Sequence, residues 1–428
     1  MKFHSIPSGQ HAASFAEAIR AGLAPDRGLY FPDQIPQLDH SAWLDDEDND
    51  LPALATKILS PFVGEAMSSG ELRRLMDEAL NFPVELRALP DWFEGCYLME
   101  LFHGPTAAFK DVGARVMSRL LGATTNERLT VLVATSGDTG SAVAQGFLNV
   151  PGIDVVILYP SGRISEIQEK QLTTVGHNVV ALEVEGSFDE CQTMVKSAFL
   201  DPELQRTRPL TSANSINLAR WIPQAVYYAY ATHLLGQGAD FVVPSGNFGN
   251  LAAGVLAAQM GMPAGTFVAA TNANDVMPAY LQSGAFEARP SLATLSNAMD
   301  VGDPSNRPRL EALLGGSAGL QASLQADSID DDTTLSTMKA VFDITGELVC
   351  PHTAIGLEVA RRRARKVNNP GPTVVLATAH PAKFGEVVER ATGLTPVLPD
   401  SLREAASREK ISIRIAPTDE ALKAYLLG

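Results

Sequence analysis

Leu101-Phe102-His103-Gly104-Pro105-Thr106-Ala107-Ala108-Phe109-Lys110-Asp111 sets a lysine between an aromatic residue and an acid, after a Gly-Pro turn and before a helical pattern from Val112 to Leu121. A fixed cation at a helix start opposes the macrodipole, which favours anions there. The placement has a use when the amine is neutral. A neutral lysine attacks carbonyl carbons and forms an imine, and burial lowers the lysine pKa towards that state. Taken on its residues alone, the stretch is open between a reactive amine and a surface lysine beside a turn.

Outward from Lys110, the hydrophobic period decides the architecture. Downstream come three short apolar, β-branched runs that read as buried strands: 131–135, 155–160 and 179–184. Helical stretches lie between them, Ser141 to Leu148 and Ile164 to Thr173. The alternation returns at 241–244, 265–270 and 373–377. Strand alternating with helix means βαβ units and largely parallel sheets, so the fold class is α/β. Upstream, residues 1 to about 90 carry helical patterns, Ser14 to Gly22 and Glu71 to Asn81, between proline-rich turns. Ser14 with Glu17 has the form of a capping box.

In open α/β sheets ligands collect at the carboxyl ends of strands. Three strand-to-helix turns are therefore candidate sites. Ser136-Gly137-Asp138-Thr139-Gly140-Ser141 offers amides and hydroxyls to an anion at a helix start, or merely caps that helix through Asp138 and Ser141. Ser245-Gly246-Asn247-Phe248-Gly249-Asn250 has two glycines that let the backbone approach a ligand, with successive amides forming a nest for phosphate. It is neither a P-loop nor a dinucleotide fingerprint, which disfavours a nicotinamide dehydrogenase. Thr378-Ala379-His380-Pro381-Ala382-Lys383-Phe384 follows the strand 373–377 and opens a helix running to Ala391.

His103-Gly104-Pro105-Thr106 followed by Ala108-Phe109-Lys110-Asp111 is similar to the pyridoxal-phosphate lysine motif of the threonine synthase family. That family is a branch of the tryptophan-synthase-β-like, fold type II enzymes. Ser14-Phe15-Ala16-Glu17-Ala18-Ile19, Gly28-Leu29-Tyr30-Phe31-Pro32 and the three turns match it in order, closest to its longer bacterial and fungal form. The resemblance implies two open, mostly parallel α/β domains plus a mainly helical N-terminal region. It implies pyridoxal 5'-phosphate as cofactor and Lys110 as its anchor and as the base at Cα. Gly246, Asn247, Phe248, Gly249 and Asn250 would cradle the cofactor phosphate, and Thr378 would meet the pyridine nitrogen. Asp138 stands where fold type II enzymes carry an Asn that contacts the ring hydroxyl; two anionic oxygens there repel unless a proton lies between them.

The implied reaction converts O-phospho-L-homoserine and water to L-threonine and phosphate, the last step of threonine biosynthesis. Ser136, Thr139 and Ser141 would hold the substrate carboxylate. Its phosphate needs donors, and a guanidinium fits phosphate better than an ammonium does. Asn214-Ser215-Ile216-Asn217-Leu218-Ala219-Arg220, another family match, supplies Ser215, Asn217 and Arg220, with Lys383 closing the cluster; if the segment is helical, Asn217 and Arg220 share a face. Asn297-Ala298-Met299-Asp300-Val301 and Pro304-Ser305-Asn306 match the family without a derived role. A threonine or serine dehydratase uses the same fold and lysine without a phosphate pocket, and a catalytically silent cofactor-binding relative is the rival from another class.

Composition bounds the rest. At 428 residues, two or three domains are expected. The divisions read here are residues 1–90, 91–215 with Lys110 and the Ser136 turn, and 216–428 with the Ser245 turn, exchange of segments being expected. A net charge of −16 disfavours nucleic acid and anionic membranes as partners. The start of the chain lacks an apolar signal-peptide core, and no run of 18 apolar residues suggests a membrane span. Cys96, Cys191 and Cys350 form no C-x-x-C pair, which points to a reducing compartment, the cytoplasm, and no zinc site. The acidic runs Asp45-Asp46-Glu47-Asp48 and Asp330-Asp331-Asp332 lack EF-hand spacing and read as solvated loop or helix-start charge, so no metal is expected. The resemblance favours a monomer over a dimer.

Overall fold

Runs that are apolar at every position become strands buried on both faces. The strand Asp240–Pro244 sends Phe241 and Val243 to one core and Val242 to another. The strand Leu129–Ala134 divides in the same way, Val131 and Val133 to the first core, Leu132 and Ala134 to a third. Both faces being dry is what a parallel sheet covered by helices requires. The computed structural model describes residues 1–44, 49–125, 127–367 and 371–428. The acidic run 45–48 lies outside the described residues.

Two sheets carry the fold. The first has five parallel strands, in the order Ile413–Ile415, Val179–Val184, Ile153–Pro160, Leu129–Ala134, Leu210–Ser212. The second has six, in the order Leu324–Ser328, Phe267–Thr271, Asp240–Pro244, Thr373–Ala377, Cys96–Glu100, Glu85–Ala88, all parallel except the last pair. The sheets exchange chain segments. Cys96–Glu100, grouped by the sequence reading with the strands that follow it, pairs instead with Thr373–Ala377. Ile413–Ile415, near the end of the chain, returns to pair with Val179–Val184. An edge strand needs only a free neighbour and a reachable connection, and sequence order does not constrain either.

The helix Lys110–Thr124 joins the two halves. It starts after the strand Cys96–Glu100 of one sheet and packs against the helix Asp138–Phe147 of the other. Residues Asp111 to Ser118, then Leu120 and Leu121, are buried. No polar face is left, so this helix is core and its first residue is held rigidly.

The N-terminal region is helical, with helices Phe15–Ala21, His40–Leu44, Leu51–Val63 and Ser69–Ala79, but it also holds a two-stranded antiparallel pair, Phe3–Ser5 with Tyr30–Pro32. The Ser14–Glu17 capping box forms in both directions. Asp330 caps the helix Asp331–Thr345, so the second acidic run is helix-start charge. Among the described residues, no helix is long and apolar enough to cross a membrane.

Candidate active site

The carboxyl ends of strands from both sheets open on one cleft of about 430 Å³. Its walls include Ser136, Asp138 and Thr139 from one sheet, Gly246 to Asn250 and Thr378 from the other, and Lys110 between them. The segment around Lys110 is fastened to the third turn. The Phe109 amide donates to Thr378 O at 2.9 Å and the His380 amide to Ala107 O at 3.0 Å. His380 itself caps the short helix Pro381–Phe384, its Nδ1 accepting from the Ala382 amide. His103 lies outside the cleft and bonds Glu100 at 2.8 Å.

Lys110 is the first residue of its helix and its side chain is 16% exposed, at the floor of the cleft. Its amine lies 3.7 Å from Asp138 Oδ2. Burial lowers its pKa, Asp138 works against that, and the like charges of Lys383 and Arg220 add to it. A lysine held this way meets the requirement for a nucleophile and base.

Lys383 is not in the cleft wall. Its side chain is fully buried, with Nζ 2.9 Å from Asp138 Oδ1 and donating to Thr106 O at 2.7 Å. The expectation that it would close a phosphate pocket is corrected: its amine is engaged by Asp138 and the Thr106 carbonyl, and Lys383 does not line the cleft. Gln168 Nε2 adds a second bond to Asp138 Oδ1 at 2.8 Å. Burial opposes ionisation of Asp138, but Lys383, Lys110 and Gln168 outweigh it and hold the carboxyl well below its ordinary value. Asp138 is thus an anion paired with Lys383.

The Ser136 turn leaves part of its backbone unpaired among the described residues. Thr135 Oγ1 ties down the Gly137 and Gly140 amides, while those of Ser136, Asp138 and Thr139 donate to no described residue. Ser136 and Thr139 line the cleft. Ser141 does not: it is buried and its hydroxyl donates to Gly137 O at 3.2 Å. It lies one turn inside the helix, where its Oγ meets that carbonyl before it can meet a ligand.

In the Ser245 turn, Asn250 curls back. Its Nδ2 donates to Pro244 O, and its Oδ1 accepts from Ser245 Oγ and the Leu251 amide. Among the described residues the amides of Gly246, Asn247 and Phe248 find no acceptor. Three free amides ahead of the helix Gly249–Gln259 make an anion nest. Neither glycine has a positive φ; the left-handed residue is Phe248, at φ +59. The glycines serve close packing instead. A Cβ on Gly246 would lie 2.8 Å from Met299 Cα and 3.0 Å from Ala298 O, which gives the 297–301 segment its role as a brace. Gly246→Val is expected to push these apart, costing about 1–3 kcal/mol. Cofactor titration of the apoenzyme should show roughly 5- to 100-fold weaker binding, with the far-UV circular dichroism unchanged.

Ser215 and Arg220 reach the cleft, and Asn217 does not. The helix is short, Leu218–Trp221, and Asn217 is its cap, not a member. Its Nδ2 bonds Ile19 O and Ser212 O, so it braces the N-terminal region. Arg220 Nη1 donates to Ala213 O at 3.0 Å and its Nε has no partner. Burial lowers its pKa to about 10, so it stays charged at neutral pH. Ser305 donates to Asn247 Oδ1, and Asn306 to Ser215 Oγ, so the 304–306 segment ties the anion nest to the Arg220 segment.

The family model for pyridoxal-phosphate-dependent enzymes matches residues 83–379, and those for the N terminus and the C-terminal part of threonine synthase match 2–80 and 353–426. Threonine synthase of Haemophilus influenzae is 41% identical over 434 residues, with 100% of each chain covered. The chain belongs to the threonine synthase family. Among solved structures, the pyridoxal-phosphate-bound threonine synthase of Brucella melitensis superposes with a TM-score of 0.92 at 36% identity, covering 100% of this chain and 98% of that one. The Escherichia coli threonine synthase gives 0.92 at 39%, covering 100% and 99%.

As a threonine synthase, the chain needs a place for pyridoxal phosphate, and its residues fit one. A buried, pKa-lowered amine, a nest of unpartnered amides and a charge-neutralised carboxylate all face one cleft. Four threonine synthase residues escaped the sequence reading. Gln168 orients Asp138. Arg309, fully buried 4.4 Å from the Trp221 ring, donates to Ser215 O and Ile216 O and fixes the Arg220 segment. Arg163 adds an exposed guanidinium to the cleft. His352, second in the helix Pro351–Ala364, lines the cleft with both ring nitrogens unpartnered. None lies in a glycine-rich turn, which was the signal followed. A histidine next to a helix-opening proline after a buried cysteine was the one cue on offer for His352.

Proposed function

We propose that this cleft converts O-phospho-L-homoserine and water into L-threonine and inorganic phosphate, closing a threonine-biosynthetic route. The observation that carries the reading is a buried lysine amine of lowered pKa sharing one cleft with two guanidinium groups, in a chain of net charge −16. An overall anionic protein repels a phosphate monoester at long range, so cations in the cleft have to capture it locally.

Pyridoxal phosphate, when bound, supplies an electron sink for the carbanion at the substrate's Cα. Lys110 holds the cofactor, takes the Cα proton and serves the later proton transfers, its amine pKa lowered by burial. The amides of Gly246, Asn247 and Phe248, with Gly249 and Asn250 shaping the turn, hold the cofactor phosphate. Thr378 would offer a hydroxyl to the pyridine nitrogen, and Asp138, paired with Lys383, would meet the ring hydroxyl. Ser136, Thr139 and the amides of their turn bind the substrate carboxylate. Ser215, Arg220 and Arg163 bind the leaving phosphate. Three buried free cysteines support a reducing, cytoplasmic setting.

Phosphate release from phosphohomoserine, with threonine as product and no comparable deamination of threonine or serine, is the test against a dehydratase. Deamination without phosphate-dependent turnover would overturn the reading. Arg220→Leu is expected to weaken phosphohomoserine by about 1.5–3 kcal/mol, roughly 10- to 100-fold, the worth of charged hydrogen bonds. Serine, which lacks a phosphate, should still perturb the cofactor spectrum with near wild-type affinity. Equal losses for both ligands would assign Arg220 to structure alone.

A further inference from the structure

His352 is buried to 3% exposure, yet it lines the cleft and, among the described residues, neither Nδ1 nor Nε2 has a hydrogen-bond partner. Buried polar groups are nearly always paired, and an unpaired one costs its desolvation. Packing accounts for the ring, which stands 4.7 Å from the Phe384 ring, but not for its nitrogens. An apolar side chain would fill the same place without that cost. We infer that His352 is a further catalytic residue, the group that binds the water added at the substrate's Cβ; the inference rests on the reaction proposed above.

Chemistry narrows the partner to water. The ring packs against Phe384, the neighbour of Lys383, and lines the same cleft as Lys110 and Asp138. Burial holds the imidazole neutral, its pKa pushed down to about 4, so it presents one donor and one acceptor. Anionic groups are better served elsewhere: the leaving phosphate by Arg220 and Arg163, the substrate carboxylate by free amides at a helix start. Water is the reactant that remains without a partner, and it needs an acceptor for one of its O–H groups. In the step, the water oxygen bonds to Cβ and one water O–H bond breaks. That proton passes to the unprotonated ring nitrogen. The electron pair displaced from the carbon–carbon double bond moves away from Cβ into the conjugated system joined to the substrate nitrogen. The ring's N–H, on the opposite side, is left to donate to an oxygen of the bound ligand.

The test uses holoenzyme with phosphohomoserine and follows three products: phosphate, threonine and 2-oxobutanoate, the oxo acid formed when phosphate leaves and no water adds at Cβ. Wild-type phosphate release checks the reaction itself. In His352→Leu, the threonine-to-2-oxobutanoate ratio should fall at least tenfold while phosphate release falls less. His352→Gln, which keeps an acceptor, should recover part of the ratio. The His352→Leu apoenzyme should melt no lower than wild type, because an unpaired buried ring has been replaced by an apolar one. An unchanged product ratio overturns the assignment, and so does a melting temperature lowered by several degrees with the ratio intact. Absent phosphate release in the wild type would overturn the reaction and this inference together.

Discussion

Lys110→Ala is expected to lose both the visible absorbance of lysine-bound cofactor and turnover, the latter by at least about 10³-fold. General acid–base catalysis alone contributes on the order of 10²–10⁴, and the same amine also anchors the cofactor. The local geometry leaves no substitute. Lys383 is the other amine near Asp138, but it is committed at 2.9 Å to that carboxylate and at 2.7 Å to the Thr106 carbonyl. The variant should fold, because its helix keeps every buried apolar residue from Val112 to Leu121. A melting curve close to wild type with no absorbance band is the expected pair of results. An Ala variant that keeps the band and the rate removes Lys110 from the mechanism.

The legible part of this molecule was the part written in local pattern. Buried strands such as 129–134, 153–160 and 179–184 announce themselves by unbroken apolar runs, and the turns after them are where a parallel sheet opens on ligands. Asp138 and the Gly246–Asn250 turn were read that way, and Lys110 from its place between a Gly-Pro turn and a helix start. Among the strands that escaped are Leu210–Ser212, Leu324–Ser328 and Ile413–Ile415. Each sits at a sheet edge, is three to five residues long and mixes polar with apolar residues, so neither length nor period marks it. The errors at the site have one cause. Asn217 looked like a partner of Arg220 by helical spacing, but the helix begins one residue later and Asn217 turns inward as its cap. Ser141 shares a turn with Thr139 yet points back at Gly137 O. Spacing says which residues are neighbours; the exact start of a helix says which way they face. Lys383 and Asp138 are far apart in sequence, and only the meeting of two sheets shows that they are a pair.

That pair carries the second large effect. Lys383→Met should destabilise the protein by about 3–5 kcal/mol, since removing one partner of a buried ion pair strands the other charge. Asp138 would be left with Gln168 and the more distant Lys110. The sign at neutral pH follows from linkage. A carboxyl whose folded pKa is depressed contributes stability above its unfolded pKa and loses it as pH falls through the folded value. Asp138 is held well below the ordinary carboxylate range, so its contribution is present in full at pH 7. Catalysis should shift as well. Lys383 is one of the charges that lower the Lys110 pKa, and with it gone Asp138 becomes a partner for Lys110 alone. The pKa of the Lys110 amine, free once substrate has displaced it, then rises, and the acid limb of the kcat profile, which reports the substrate-bound enzyme, moves to higher pH. Denaturant unfolding measures the first effect and a pH–rate profile the second. Asp138→Asn in the same chain separates pairing from packing. With both charges removed, much of the lost stability should return, because a buried ion pair replaced as a unit is often neutral or better. An acid limb that stays in place in Lys383→Met would mean that Lys383 supports Asp138 structurally and leaves the Lys110 proton equilibrium untouched.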